Sequence, residues 1–188
     1  MIAQNAFIDL RNLHQLLLSN NQLKVIESKH FAGLYSLNQL ILESNEISNI
    51  HPTAFDHLIN SVVDLSLNDN KLKRIPDSIK KLRNLQALDL GKNQISEIES
   101  DSFDGLEQLA GLRLTDNQIT AITKGAFVAL KSIHVLNFAS NKIRHVDHAG
   151  WSLNKVINFN HSINDHEEHL IAEKRIFWMI LNLIESIG

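Results

Sequence analysis

The chain has no cysteine, which excludes a disulfide framework and any thiolate metal site. It has only two prolines, and no segment is low-complexity. The longest uninterrupted apolar run, Ile176 to Leu181, falls far short of the roughly 20 residues a membrane helix needs, so no membrane span is expected. Neither sign of charge dominates: 18 Lys and Arg against 21 Asp and Glu leave a formal charge of −3. No basic block points to nucleic acid, so a nucleic-acid partner is not expected. The first residues hold neither a basic n-region nor an apolar h-region, so no secretory signal is read there. Nucleophile-elbow, phosphate-loop and H-E-x-x-H motifs are all missing, so no enzyme and no cofactor is expected. What is present is 44% hydrophobic content, enough for the core of one domain or one small array.

That content is periodic. The pattern LxxLxLxxNxL starts at Leu13, Leu37, Val62, Leu85, Leu109 and Ile133, at intervals of 24, 25, 23, 24 and 24 residues. Its asparagines are Asn21, Asn45, Asn70, Asn93, Asn117 and Asn141. A trailing half, xxIxxxxFxxL, carries Ile26, Ile50, Ile75, Ile98, Ile122 and Val146, then Phe31, Phe55, Phe103, Phe127 and Trp151. Ile79 stands at the aromatic position of the third unit, which is one residue shorter. In LxxLxL the last two leucines are two apart, the strand period, so both face one side. Stacked short strands then form a parallel sheet, because no unit is large enough to bury its apolar side alone. An asparagine amide both donates and accepts, so the asparagine column is expected to satisfy buried turn backbone and to be structural.

Six such units in register resemble the leucine-rich repeat family, over about residues 1–154. The 24-residue form with a phenylalanine is similar to repeats of extracellular receptors and matrix proteins, such as Toll-like receptors and Slit-type guidance proteins. The third unit, NDNKLKRIPDSIKKLRNL, is more similar to shorter repeats of cytosolic members. The resemblance implies an α/β-type solenoid, a right-handed superhelix or horseshoe with one parallel strand per repeat, and an internal asparagine ladder. It implies a non-enzymatic protein-binding module, of innate-immune or adhesion receptor type and extracellular. The alternative is a cytosolic regulatory scaffold, favoured by the missing cysteines and by the Ile-Pro unit.

The domain organisation expected is a partial repeat over 1–12, six repeats over 13–154, and a degenerate repeat with a C-terminal helix over 155–188. In the first segment Ile2, Phe7 and Leu10 fall under Ile26, Phe31 and Leu34, so the chain opens in mid-unit. The expectation is a segment of a longer array whose first strand is an open edge. In the last segment INFN at 157–160 echoes a strand, with the asparagine position falling on Ser162. Asp165 and Glu168 form a capping box for a helix from about 166 to 186. That helix caps the stack, pairs with another chain, or is a tail foreign to the array. Self-association is therefore expected at the N-terminal edge or through this helix.

A protein or peptide ligand is expected on the sheet face that the returning chain leaves open. Candidate binding residues there are Gln15, Leu17, Gln39, Ile41, Glu43, Asp64, Ser66, Asp89, Arg113 and Asn137. Leu17 and Ile41 make an apolar patch, and Glu43, Asp64, Asp69 and Asp89 an acidic middle. Ala110, Gly111, Val135 and Ala139 make a shallow end interrupted by Arg113. The patch at Leu17 and Ile41 belongs in part to the open edge. His145 and His148, on a loop, and His166 and His169 form pairs three apart, but without thiolates they are not assigned to a metal. One glycosylation sequon begins at Asn160.

Overall fold

The computed structural model describes residues 2–143, 145–146 and 158–160. Its strands in chain order are β1 (Gln15–Leu17), β2 (Val25–Ile26), β3 (Gln39–Ile41), β4 (Asn49–Ile50), β5 (Asp64–Ser66) and β6 (Ala87–Asp89). They continue as β7 (Glu97–Ile98), β8 (Gly111–Arg113), β9 (Ala121–Ile122), β10 (Val135–Asn137), β11 (His145–Val146) and β12 (Asn158–Asn160). The three-residue strands form one parallel sheet in the order β1-β3-β5-β6-β8-β10-β12, which is the concave layer of a solenoid. The register is uniform: Leu16, Leu40, Leu65, Leu88, Leu112, Leu136 and Phe159 stand side by side.

The last pairing changes one sequence assignment. Asn160 pairs beside Asn137, and Asn141 lies four residues beyond Asn137. Counting four from Asn160 puts the asparagine column on Asn164, not Ser162. The unit therefore starts at Val156, one residue before INFN, and the sheet has a seventh strand beyond the six full repeats. The expected helix at 166–186 and Trp151 lie outside the described residues.

After each of the first six concave strands the chain turns through one left-handed residue. Asn20, Ser44, Asp69, Lys92, Asp116 and Ser140 hold φ of +49 to +56°. The asparagine that follows ties the turn to its own repeat and to the one before. Asn93 Oδ1 accepts from the Leu72 N–H at 3.0 Å, and Nδ2 donates to Leu67 O at 2.9 Å, both in the preceding repeat. The same Nδ2 lies within hydrogen-bond reach of Leu90 O and Gly91 O in its own repeat. Asn45, Asn70 and Asn117 repeat this arrangement and are buried. Removing one such amide leaves buried backbone groups without partners, at about 1–3 kcal/mol each. Asn21 differs: it is exposed and bonds only Leu18 O and Ser19 O of its own repeat. Among the described residues β1 has no strand on its outer side, and Leu13, Leu16 and Leu18 are only half-buried.

The core is the stacked leucine columns plus the phenylalanines. Phe31 and Phe55 stack with centroids 6.0 Å apart, as do Phe103 and Phe127 at 5.8 Å, and all four are fully buried. Ile79 fills the gap between the two stacks, also fully buried. The N-terminal half-unit lies on the first repeat, with Ile2 buried, Phe7 packed on the core, and the Asn5 N–H donating to Lys29 O at 3.2 Å. Gly33 (φ +93°) permits this contact, since a Cβ there would overlap the Ile8 carbonyl.

The convex side carries two separate ladders, β2-β4 and β7-β9-β11. His145 belongs to the second ladder, so it sits on a strand and not on the loop expected for it. The break falls at the third repeat for a chemical reason. Within each ladder the N–H after the isoleucine donates to the isoleucine of the previous repeat: His51 to Ile26 O at 2.8 Å, and Thr123 to Ile98 O at 2.9 Å. In the third repeat that residue is Pro76, which has no N–H. The chain there forms a 3-10 helix over Asp77–Lys81 instead.

The first member of each ladder has no earlier strand to donate to, and a side chain takes the bond. The Glu27 N–H donates to His30 Nδ1 at 3.1 Å, and the Glu99 N–H to Ser102 Oγ at 2.9 Å. In the second member of each ladder the position of His30 and Ser102 is alanine, Ala54 and Ala126. Ser78 holds that position in the third repeat, where Pro76 offers nothing to accept. Among the described residues its buried hydroxyl has no hydrogen-bond partner.

Candidate functional site

The residues between the inward leucines point out of the concave sheet, because successive strand side chains alternate. Pairing sets Leu17, Ile41, Ser66, Asp89, Arg113, Asn137 and Asn160 in one row. A second row holds Gln15, Gln39, Asp64, Ala87, Gly111, Val135 and Asn158.

Part of this surface forms a depression of about 350 Å³ across β3 to β10. Six of the ten candidate residues line it: Ile41, Asp64, Ser66, Asp89, Arg113 and Asn137. Gln15, Leu17, Gln39 and Glu43 lie outside. Its floor is made by residues that were not candidates, Ala87 and Gly111, with Val135 beside them, half-exposed at 46%. Nothing lies within 4 Å of where a Gly111 Cβ would stand, so this glycine opens space and is not forced by crowding. Two small residues side by side under a row of long ones are the signal that sequence alone offers for such a floor.

The charges are more tightly held than isolated columns suggest. Asp89 Oδ1 accepts from the Gly91 N–H at 2.8 Å and from Asn68 Nδ2 at 3.2 Å, and Oδ2 from Arg113 Nη1 at 2.9 Å. Asp89 is therefore committed to its neighbours, and Arg113 is held over the depression with its side chain 60% exposed. Gly91 makes room for this: a Cβ there would fall 2.7 Å from Asn68 Nδ2 and 2.9 Å from Thr115 Oγ1. Asp64 accepts from Gln39 Nε2 at 2.6 Å, and Asp69 from Ser44 Oγ at 2.9 Å. The acidic middle thus reduces to Glu43, Asp64 and Asp69, with the fourth charge compensated by Arg113. The Leu17 and Ile41 patch splits as well: Leu17, 65% exposed, stands on the edge strand, whereas Ile41 joins the depression.

Among the described residues no group of three or more His, Asp or Glu is placed to hold a metal ion, and no helix is long and apolar enough to cross a membrane. His148, His166 and His169 lie outside the described residues. Asn160 shares the register of Asn137, which puts the sequon at the C-terminal end of the concave row.

The sequence matches the Leucine rich repeat family over residues 11–72, 60–119 and 108–160. It is 32% identical over 97 residues to "Leucine-rich repeats and immunoglobulin-like domains protein 3" of Homo sapiens, a match covering 52% of this chain and 8% of that protein. The Mus musculus protein of the same name is 36% identical over 59 residues, covering 31% of this chain and 5% of that one. The chain thus spans less than a tenth of the curated relatives it matches. Among solved structures, the crystal structure of the TLR13–ssRNA13 complex superposes with a TM-score of 0.79 and 26% identity, over 90% of this chain and 24% of that one.

Proposed function

Since this chain belongs to the leucine-rich repeat family, we propose that it is a non-enzymatic recognition module of the extracellular receptor type, binding a protein or peptide ligand on its concave face. The observation that carries this reading is the depression over Ala87 and Gly111, rimmed by Asp64, Ser66, Asn137 and an Arg113 fixed by Asp89. Concave core positions keep one chemistry from repeat to repeat, while outward positions change it. Seven strands at about 4.8 Å give a face roughly 29 Å long, a width suited to a protein or peptide surface. The shared fold with a Toll-like receptor and the relatedness to a leucine-rich repeat and immunoglobulin-like protein support a receptor ectodomain. Under this reading the role is innate-immune or adhesive, the site is outside the cell, and Asn160 carries a glycan at the end of the row.

The TLR13 structure contains RNA, so this fold by itself does not rule out a nucleic-acid ligand. The case against one here is local. Glu43, Asp64 and Asp69 are uncompensated on or beside the concave rows, and Arg113 is already paired, a poor setting for a polyanion.

The test is affinity capture from extracellular fluid and from cytosol with mass spectrometry, followed by titration of the captured ligand against Ser66→Arg plus Arg113→Glu. Loss of binding at an unchanged melting temperature supports the reading. Undiminished binding removes the concave face from it, and a purely cytosolic partner set overturns the extracellular assignment in favour of a regulatory scaffold.

A further inference from the structure

Away from the concave face, a groove of about 490 Å³ runs along the edge where the chain feeds into the strands, from His14 before β1 to Gln108 before β8. Across five strands at about 4.8 Å it is roughly 19 Å long. Its lining includes five primary amides, Asn38, Asn60, Asn84, Gln86 and Gln108. Ser36 and Ser61 add hydroxyls, and none of the lining residues is Asp, Glu, Lys or Arg. In a chain with 21% charged residues, a continuous groove of this length without one is a distinct chemical environment.

The amides are set on a rigid base. The Asn38 N–H donates to His14 O at 2.8 Å, Val63 to Asn38 O at 2.9 Å, Gln86 to Val63 O at 2.8 Å and Ala110 to Gln86 O at 2.8 Å. Their side chains are mostly unspent. Asn38 and Asn84 donate to Ser61 O and Asn60 O, which leaves their carbonyl oxygens free to accept. Asn60, Gln86 and Gln108 make no side-chain hydrogen bond among the described residues.

We propose that this groove binds a neutral, extended oligosaccharide. Each amide presents a donor and an acceptor together, the pair that matches neighbouring sugar hydroxyls. The spacing of the repeats is close to the length of one pyranose ring, so successive rings of an extended glycan meet successive amides. The lack of lysine and arginine disfavours nucleic acid and sulfated or sialylated glycans. A peptide is disfavoured because Val63 is the only apolar side chain in the lining, which leaves no pocket for peptide side chains to occupy.

The experiment is calorimetric titration of the whole chain with cellohexaose, chitohexaose and mannohexaose, with a heparin hexasaccharide and a Gly-Ser dodecapeptide in parallel. The expected result is micromolar-to-millimolar binding of at least one neutral hexasaccharide. It weakens about tenfold or more in Gln86→Ala plus Gln108→Ala, at unchanged melting temperature. Neither glutamine side chain holds a bond within the described structure, so this variant is expected to fold. Arg113→Glu leaves the affinity unchanged, which separates this site from the concave one. No binding of any neutral hexasaccharide, binding of heparin or the peptide alone, or affinity that survives the glutamine variant would each overturn the proposal.

Discussion

Ser78 and Ser102 occupy the same place in adjacent repeats, each one residue before the core residue of its return, Ile79 or Phe103. They should respond to the same mutation with opposite signs. Ser102 Oγ accepts the Glu99 N–H, the first rung of a convex ladder. Alanine there strands that N–H and should cost about 1 kcal/mol or somewhat more. Ser78 Oγ accepts nothing, because Pro76 has removed the donor, and the hydroxyl is buried at 1% exposure. A hydroxyl desolvated without a partner costs about 1–3 kcal/mol. Alanine removes that cost and loses only the small dispersion contribution of one oxygen. The net expected for Ser78→Ala is about 1 kcal/mol of stabilisation, near 2–4 °C in melting temperature for a chain of this size. Ala54 and Ala126 show that the position accepts a methyl group. Urea midpoints and calorimetric melting of wild type and both variants decide it. Destabilisation of Ser78→Ala by as much as Ser102→Ala would mean the hydroxyl has a partner such as a bound water, and the account of the convex break would be wrong.

Burial lowers the pKa of His30, an effect only partly offset by Glu27, and the ring must be unprotonated at Nδ1 to accept the Glu27 N–H. The native state therefore disfavours the imidazolium. Its stability is fully present above the unfolded pKa of about 6.5 and falls as pH drops below it. Melting at about pH 7.5 and 5.5 should show a loss that His30→Ala reduces, and an equal loss in both proteins would refute the assignment. Lys92 takes φ +49° where other repeats use Asn, Asp or Ser, so Lys92→Asn should stabilise by roughly 0.5 kcal/mol, read from the urea midpoint. Gly33→Ala should cost roughly 2–4 kcal/mol and detach the N-terminal half-unit, visible as faster proteolysis within residues 2–12. Intact resistance there would mean that the half-unit does not depend on the Gly33 contact.

Periodicity exposes whatever every repeat must share. Inward leucines, the asparagine ladder, the phenylalanine stacks and the N-terminal half-unit under Ile26 and Phe31 were all readable, because each is imposed by stacking one unit on the next. What was hidden depends on departures from the period. The convex break required knowing that the N–H after Ile75 would have been a rung, which turns Pro76 from a repeat-class marker into a missing donor. Asp89 read as a free acid because its three donors come from Asn68, Gly91 and Arg113, residues 21, 2 and 24 positions away. The seventh strand is legible in INFN, but its asparagine position is Asn164, two residues beyond Ser162, and this is hidden because Phe159 and His161 replace the leucines that mark the register in the first repeats.

The third repeat is where these departures meet. The second repeat is laddered to the first on the convex side (β2-β4) and the fourth to the fifth and sixth (β7-β9-β11), while the third joins neither ladder. It is also the most basic stretch of the chain, with Lys71, Lys73, Arg74, Lys80, Lys81 and Arg83. Three of these pair with acids of the adjacent repeats: Lys71 with Glu46 at 2.9 Å and Lys81 with Asp56 at 2.7 Å in the second, and Lys80 with Asp101 at 2.9 Å in the fourth. Exposed ion pairs are weaker and more readily screened than a backbone ladder, and they tolerate changes of angle that a ladder does not. The concave sheet meanwhile runs through β3, β5 and β6 without interruption. The array is thus paired strand to strand without a break on the side that bears the depression, while its convex ladders are interrupted at the third repeat. The gap between the two convex ladders lies behind the strand that bears Asp64 and Ser66, toward one end of the depression.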